Sequence, residues 1–130
     1  MNSNNKNNIL QYKVLPGGFD PHVVGQKVFL RFPYQDETIP PLTNWTVPLR
    51  IAIKLPEGFS AQFGNIESLL LNHDICCPNL SISSDSTKEL QCKLMNNGSE
   101  PYTIHQGDTI VQLIVFTNST LELKGVDEFE

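Results

Sequence analysis

At 130 residues and 14.6 kDa, the chain is long enough for one domain and too short for two domains with separate cores. A hydrophobic fraction of 39% with a charged fraction of 18% excludes a disordered or fibrous chain. The net charge is −5, and the nine Lys and Arg residues are scattered, so nucleic-acid binding is not expected. No apolar run approaches the length of a membrane span, so membrane insertion is not expected either.

The polar, Asn-rich residues 1–8 predict a disordered tail and cannot be the hydrophobic core of a secretory signal. We therefore expect a cytosolic or nuclear protein that is not secreted. Cys76, Cys77 and Cys92 make an odd count, which disfavours a disulfide framework. His73 beside the two adjacent cysteines offers no evident fourth ligand, so no metal site is predicted.

The first half of the chain predicts three strands. Leu10, Tyr12 and Val14 alternate with polar residues until Pro16 breaks the pattern, and a second strand covers 28–32. The clearest alternation covers 47–55, where Pro48 predicts that this strand starts at a sheet edge. Between them, the segment Ile39-Pro40-Pro41 can only be an extended connection.

The second half predicts further short strands and one small helix. The helix covers 66–71 and is too short to be stable without packing. Turn residues such as Asn96-Asn97-Gly98 separate the strands, which are expected at 59–63, 90–94, 102–104, 109–116 and 121–123.

This pattern predicts an all-β sandwich or barrel with one short helix. We expect a single β domain over residues 9–124, followed by an acidic tail over 125–130. The strand over 109–116 is apolar on both faces. Such a strand is either central in its sheet or in contact with another subunit.

The run Gly107-Asp108-Thr109-Ile110-Val111-Gln112-Leu113-Ile114 resembles the Gly-Asp-x-Ile-x-Gln-Leu-Ile motif of trimeric dUTPases. Ile39-Pro40-Pro41 and Leu55-Pro56-Glu57-Gly58-Phe59 follow the same family's order and spacing. The resemblance covers roughly residues 28–128. It implies a dUTPase-like distorted jelly-roll or β-barrel and assembly as a homotrimer.

Other segments are similar to the dUTPase-derived proteins of the adenovirus fourth early region. They include Asp85-Ser86-Thr87-Lys88-Glu89-Leu90 and Met95-Asn96-Asn97-Gly98. This resemblance implies a viral early protein of the host cytoplasm or nucleus. Its partners would be host signalling or scaffold proteins.

The dUTPase resemblance also implies a catalytic site. An aspartate of the family activates water for attack on the α-phosphate, and a tyrosine packs on the deoxyribose. Counting without gaps from Pro56 places Ser83 at the aspartate position and Ser86 at the tyrosine position. A serine hydroxyl is neutral at pH 7 and cannot act as a general base unaided. Asp85, the nearest carboxylate, lies about 6.5 Å away along an extended chain.

The family's phosphate-binding positions are also altered. Ile66, Glu67 and Ser68 stand where the family has Arg-Ser-Gly, and Glu67 would repel a triphosphate. Leu30 stands at the magnesium-binding aspartate, while Asp20 lies about ten residues too early and is expected to be a turn residue. Gln112 is the one well-aligned phosphate ligand that remains, and the Gly-rich closing arm has no counterpart.

These substitutions predict an inactive dUTPase-like protein that binds host proteins, uses no cofactor and does not hydrolyse dUTP. The alternative is an active dUTP pyrophosphatase with relocated residues, in which Asp20, Asp85 and Ser68 converge around Mg²⁺. A third possibility, a purely structural trimer, is compatible with the fold.

Overall fold

The computed structural model describes residues 8–130, so seven of the eight residues of the expected amino-terminal tail lie outside it. The described chain contains eleven strands and one helix. In chain order the elements are β1 (Gln11–Val14), β2 (His22–Val24), β3 (Lys27–Arg31), β4 (Glu37–Ile39), β5 (Thr43–Lys54), β6 (Phe59–Gly64), α1 (Glu67–His73), β7 (Ile75–Cys76), β8 (Ser81–Ile82), β9 (Glu89–Asn96), β10 (Tyr102–Ile104) and β11 (Thr109–Thr117).

Two antiparallel sheets form the body of the domain. One has the strand order β1-β5-β9-β7, and the other has the order β2-β3-β11-β6-β8. A separate pair joins β4 to β10. Alternating side chains of both large sheets form one apolar core. The predicted all-β architecture with one short helix is confirmed. The helix found in residues 8–130 is not long and apolar enough to span a membrane.

The position of β11 in its sheet explains why both faces of the strand are apolar. It lies between β3 and β6 in the middle of its sheet. Val111 and Leu113 are completely buried there, whereas Phe116 near the end of the strand is 40% exposed. Intramolecular pairing therefore accounts for the first half of the apolar pattern, and the second half is partly exposed.

Two expectations about strand ends are wrong. The alternation at Leu121 and Leu123 forms no strand, since no neighbouring strand pairs with it, and these side chains are 84% and 97% exposed. The strand β5 begins at Thr43, four residues before the predicted start. Pro48 is tolerated inside it because β1 pairs only with residues 51–54, which leaves an open edge where the proline lacks its N–H.

The strand β5 changes its pairing at Arg50. Its ladder with β9 is interrupted between Pro48 and Ala52, and Arg50 has a left-handed φ of 55°. The Arg50 N–H then donates to a carboxylate oxygen of Glu89 at 2.9 Å. On the other side, Gly18 packs against the Arg50 carbonyl so closely that a Cβ would collide with it. This contact explains the glycine at that position of the first turn.

A buried asparagine joins several strands at one end of the domain. The Asn96 side chain is fully buried, and its Nδ2 donates to the carbonyls of Ile39 and Glu100, each at 2.9 Å. Its Oδ1 accepts from the Gly98 N–H at 3.0 Å. The carboxamide thus connects the ends of β4 and β9 to the turn that leads into β10.

We expect Asn96→Ala to lower the free energy of unfolding by about 3 kcal/mol. The substitution leaves the buried Ile39 carbonyl and the partly buried Glu100 carbonyl and Gly98 N–H without this partner, and each such loss costs about 1 kcal/mol. Urea unfolding measures the difference. The matched control is Asn97→Ala, because the Asn97 side chain makes only an exposed contact with the Cys76 sulfur. Equal effects of the two substitutions would contradict this role of Asn96.

A surface ion pair joins the β3–β4 connection to the β10–β11 turn. Nδ1 of His105 lies 2.8 Å from Oδ2 of Asp36, and the Gln106 N–H donates to the other carboxylate oxygen at 3.0 Å. The hydrogen bond with Asp36 raises the pKa of His105 above 6.5. The hydrogen bonds from His105 and Gln106 lower the pKa of Asp36 below 3.8.

These shifts predict how the stability conferred by the pair depends on pH. The histidine contribution is complete below pH 6.5 and is lost as pH rises through the raised pKa of His105. The aspartate contribution is complete above pH 3.8 and is lost as pH falls through the lowered pKa of Asp36. Between these values, His105→Gln should lower the melting temperature most, and the difference should shrink as pH rises through the raised pKa of His105 and in roughly 1 M salt. Asp36→Asn should lower the melting temperature in the same way. A change in melting temperature that does not vary with pH would refute the prediction.

Candidate functional site

The connection between β8 and β9 carries the positions that the sequence aligns with a catalytic aspartate and a tyrosine. It runs from the edge of the five-stranded sheet to the four-stranded sheet. A turn closes within it, where the Ser86 N–H donates to the Ser83 carbonyl at 3.2 Å. Ser83 and Asp85 are both exposed at this turn.

The turn brings Asp85 back to Ser83. The Ser83 hydroxyl donates to Oδ1 of Asp85 at 2.7 Å, a strong hydrogen bond to a carboxylate. This bond lowers the pKa of Asp85 below 3.8, with a smaller contribution from a backbone hydrogen bond. The separation expected for an extended chain is therefore wrong. An ionised carboxylate lies within hydrogen-bond distance of Ser83.

Gln112 packs against the loop that holds the aligned phosphate-binding positions. It lies opposite Gly64 across the β6–β11 pair, and its Nε2 donates to the Asn65 carbonyl at 2.6 Å. A Cβ at position 64 would crowd the side chain of Ile114 first and that of Gln112 next. The Gln112 Oε1 is buried and has no hydrogen-bond partner in residues 8–130.

Ile66, Glu67 and Ser68 form the start of α1. Ile66 precedes the first helical residue and provides no side-chain cap. Glu67 lies in the first turn, where the positive end of the helix dipole favours a negative charge. Glu67 thus has a structural role that the sequence comparison missed. Ser68 lines a small depression of about 190 Å³ beside Tyr102 and Asp108.

The two candidates for the first-motif aspartate differ in position. Leu30 is 2% exposed and belongs to the apolar core, so it cannot face a ligand. Asp20 is exposed and accepts a long hydrogen bond of 3.4 Å from the Tyr12 hydroxyl. Within residues 8–130 Asp20 has this one side-chain hydrogen bond, whereas Asp85 bonds to Ser83.

The donor atoms of the described chain do not form a metal-binding set. No three His, Cys, Asp or Glu side chains of residues 8–130 come together in such an arrangement. His73 instead packs against Tyr102, with ring centroids 4.5 Å apart and ring planes tilted by 40°. Burial raises the pKa of Cys77 to about 11 and that of Cys92 to about 12, which opposes thiolate ligation. A magnesium ion would have to take most of its ligands from substrate phosphates and water.

A family model described as dUTPase matches residues 32–130. The chain belongs to the dUTPase family. It is 36% identical over 83 residues to the deoxyuridine 5'-triphosphate nucleotidohydrolase of Zymomonas mobilis, a match that covers 62% of this chain and 57% of that protein. It is 31% identical over 104 residues to the protein of the same name from Maricaulis maris, a match that covers 78% of this chain and 68% of that protein.

Solved structures of phage dUTPases share the fold. The dUTPase of Staphylococcus bacteriophage 80alpha superimposes with a TM-score of 0.77 at 19% identity, covering 95% of this chain and 99% of that one. A point mutant of the dUTPase from phage phi11 of S. aureus gives 0.78 at 18% identity, covering the same shares of the two chains. That phage structure shows how a structural Mg(II) ion is coordinated. The expected dUTPase-like jelly-roll is confirmed.

These comparisons correct the functional prediction. The expectation of an inactive, host-binding pseudoenzyme is wrong, because the similar curated proteins are named dUTP nucleotidohydrolases. These relatives are bacterial, so the prediction of an adenoviral early protein is also wrong. The prediction of inactivity rested on a few short motifs. The family match covers most of the chain.

Proposed function

We propose that the chain hydrolyses dUTP to dUMP and pyrophosphate, which is the relocated-residue alternative raised by the sequence. Family membership and the names of the relatives support the substrate and the reaction. The observation that carries the proposal is the 2.7 Å hydrogen bond between Ser83 and Asp85. It supplies a carboxylate next to the position from which the family's aspartate is missing.

In the proposed step, Asp85 is the general base. A water oxygen forms a bond to the α-phosphorus, and the bond from that phosphorus to the α–β bridging oxygen breaks. Pyrophosphate leaves with the electron pair of that bond, and the proton of the water passes to the Asp85 carboxylate. Ser83 is a positioning residue, since its hydroxyl donates to the Asp85 carboxylate and orients it.

Two departures from the family pattern should weaken the binding of dUTP. Ser86 has no ring to pack on the deoxyribose, and its N–H is used to close the turn. Glu67 places a negative charge at the start of α1, in the segment that aligns with the family's phosphate-binding loop. We therefore expect a high KM for dUTP. Magnesium carried by the triphosphate would reduce the negative charge of the substrate.

The first test is pyrophosphate release from dUTP in the presence of Mg²⁺. We expect turnover by the unaltered chain and a loss of about 100-fold or more in kcat for Asp85→Asn, which is the usual contribution of a general base. The control is Asp127→Asn, an exposed residue of the carboxyl-terminal segment, which should leave kcat unchanged. Absence of turnover by the unaltered chain, or full activity of Asp85→Asn, would refute the proposal.

We also propose that the chain forms the homotrimer that the family resemblance implies. Leu121, Leu123 and Phe129 are 84%, 97% and 97% exposed, and several exposed apolar side chains in one segment favour contact with another chain. Light scattering at micromolar concentration should return three times the 14.6 kDa of one chain. A mass of one chain would contradict the trimer.

A further inference from the structure

Asparagine followed by glycine occurs once in the chain, at Asn97-Gly98 in the turn between β9 and β10. Glycine has no Cβ to shield its backbone nitrogen, so this nitrogen can closely approach the carboxamide of the preceding residue. The Asn97 side chain is exposed, which gives water access to that carboxamide. The two groups that react in the spontaneous deamidation of asparagine are therefore adjacent in this turn.

The deamidation of Asn97 needs no reagent other than water. The Gly98 nitrogen gives its proton to hydroxide and forms a bond to Cγ of Asn97. The bond from Cγ to the side-chain nitrogen then breaks, and ammonia leaves with that electron pair and a proton from water. Water opens the resulting succinimide at either carbonyl. One opening yields aspartate, and the other yields isoaspartate, in which the backbone runs through the side-chain carbons.

The structure holds both reacting groups in hydrogen bonds. The Gly98 N–H donates to Oδ1 of Asn96 at 3.0 Å, which directs the nucleophilic nitrogen and its proton toward Asn96. Nδ2 of Asn97 donates to the Cys76 sulfur on β7 at 3.2 Å, which restricts the orientation of the carboxamide. The Asn97 N–H also donates to the Asp74 carbonyl at 3.0 Å. Attack on Cγ requires the bonds of Gly98 and of the carboxamide to break.

The products of deamidation would disturb this end of the domain. A Cβ added at Gly98 would lie 3.3 Å from Oδ2 of Asp74, so the turn is close to that carboxylate. An additional carboxylate at position 97 would be repelled by Asp74, because like charges at short range repel each other. An isoaspartate would also lengthen the backbone before Gly98 and move its N–H away from Asn96.

We propose that Asn97 is a site of spontaneous deamidation and that Asn96 restrains this reaction by holding the Gly98 N–H. The Asn97 carboxamide is the reacting group, and Asn96 is a positioning residue whose buried side chain acts on the nucleophile. With time the modification adds negative charge to the chain and weakens the junction of β4, β9 and β10. It requires no substrate and does not depend on the proposed hydrolysis of dUTP.

The test is incubation of the full chain in mildly alkaline buffer well below its melting temperature, followed by peptide mapping with mass spectrometry. We expect conversion of Asn97 to aspartate and isoaspartate in the folded chain, and faster conversion in urea. Asn96→Ala should accelerate the reaction about fivefold, which is the factor expected from the loss of one hydrogen bond. Asn118, which precedes Ser119 after β11, is the internal control, and its rate should change less than twofold.

A second pair of variants tests the restraint without altering the buried Asn96. Cys76→Ala removes the sulfur that accepts from Asn97, whereas Cys76→Ser keeps an acceptor at the same position. The alanine variant should deamidate about twofold faster at Asn97, because an exposed hydrogen bond contributes less than a buried one. The serine variant should match the unaltered chain. The deamidated form, purified by ion exchange, should melt at a lower temperature than the unmodified chain.

Three outcomes would overturn the inference. The first is an unchanged Asn97 in the folded chain under conditions in which the chain in urea is converted. The second is an equal rate at Asn97 in the unaltered chain and in Asn96→Ala. The third is equal acceleration at Asn97 and Asn118 in Asn96→Ala, since general unfolding would then replace the local restraint by Asn96.

Discussion

The hydrogen bonds of Asn96 are the constraint on which one end of this domain depends. Asn96 is the one polar side chain among the buried residues of the described chain. Its carboxamide is fully satisfied by backbone groups of β4 and of the turn after β9. Its own backbone pairs with Ile75 and with Thr43, so β5, β7 and β9 meet at the same residue. Because a buried amide must keep all of these partners, the positions of the β4–β10 pair and of the end of α1 are tightly restricted.

The opposite end of β9 is fixed by the irregularity in β5. The Glu89 carboxylate accepts the N–H of Arg50, whose left-handed backbone interrupts the β5–β9 ladder. This contact anchors the carboxyl-terminal end of the β8–β9 connection to β5, directly next to the residues that pair with β1. The turn that holds Asp85 is therefore connected to β5 through Glu89, which lies four residues further along the chain. A local departure from regular pairing thus determines the geometry of the proposed site.

Strand periodicity predicts the long elements of the fold well, and its failures have local causes. Apolar residues alternate with polar ones in β5 and β9, which predicts one buried face for each strand. In the structure these apolar faces are buried in the common core. The same alternation at Leu121 and Leu123 fails because a strand requires a partner, which periodicity does not reveal. Likewise, the sequence identifies Asn96 only as the end of a strand, because its hydrogen-bond partner Ile39 lies 57 residues away.

The site is harder to predict than the fold. An ungapped count treats residues 83–86 as extended, whereas the structure has a turn that joins Ser83 to Asp85. The pairing of Asp with Ser two residues earlier, in a Ser-rich segment typical of turns, is the sequence signal that could have indicated this contact.

The central claim is that water activated by Asp85 attacks the α-phosphorus of dUTP. The most direct test is hydrolysis of dUTP by the unaltered chain in ¹⁸O-labelled water with Mg²⁺, followed by mass spectrometry of both products. Attack at the α-phosphorus predicts one ¹⁸O atom in dUMP and none in pyrophosphate. Label in pyrophosphate, or no dUMP above the level formed by Asp85→Asn, would contradict the account.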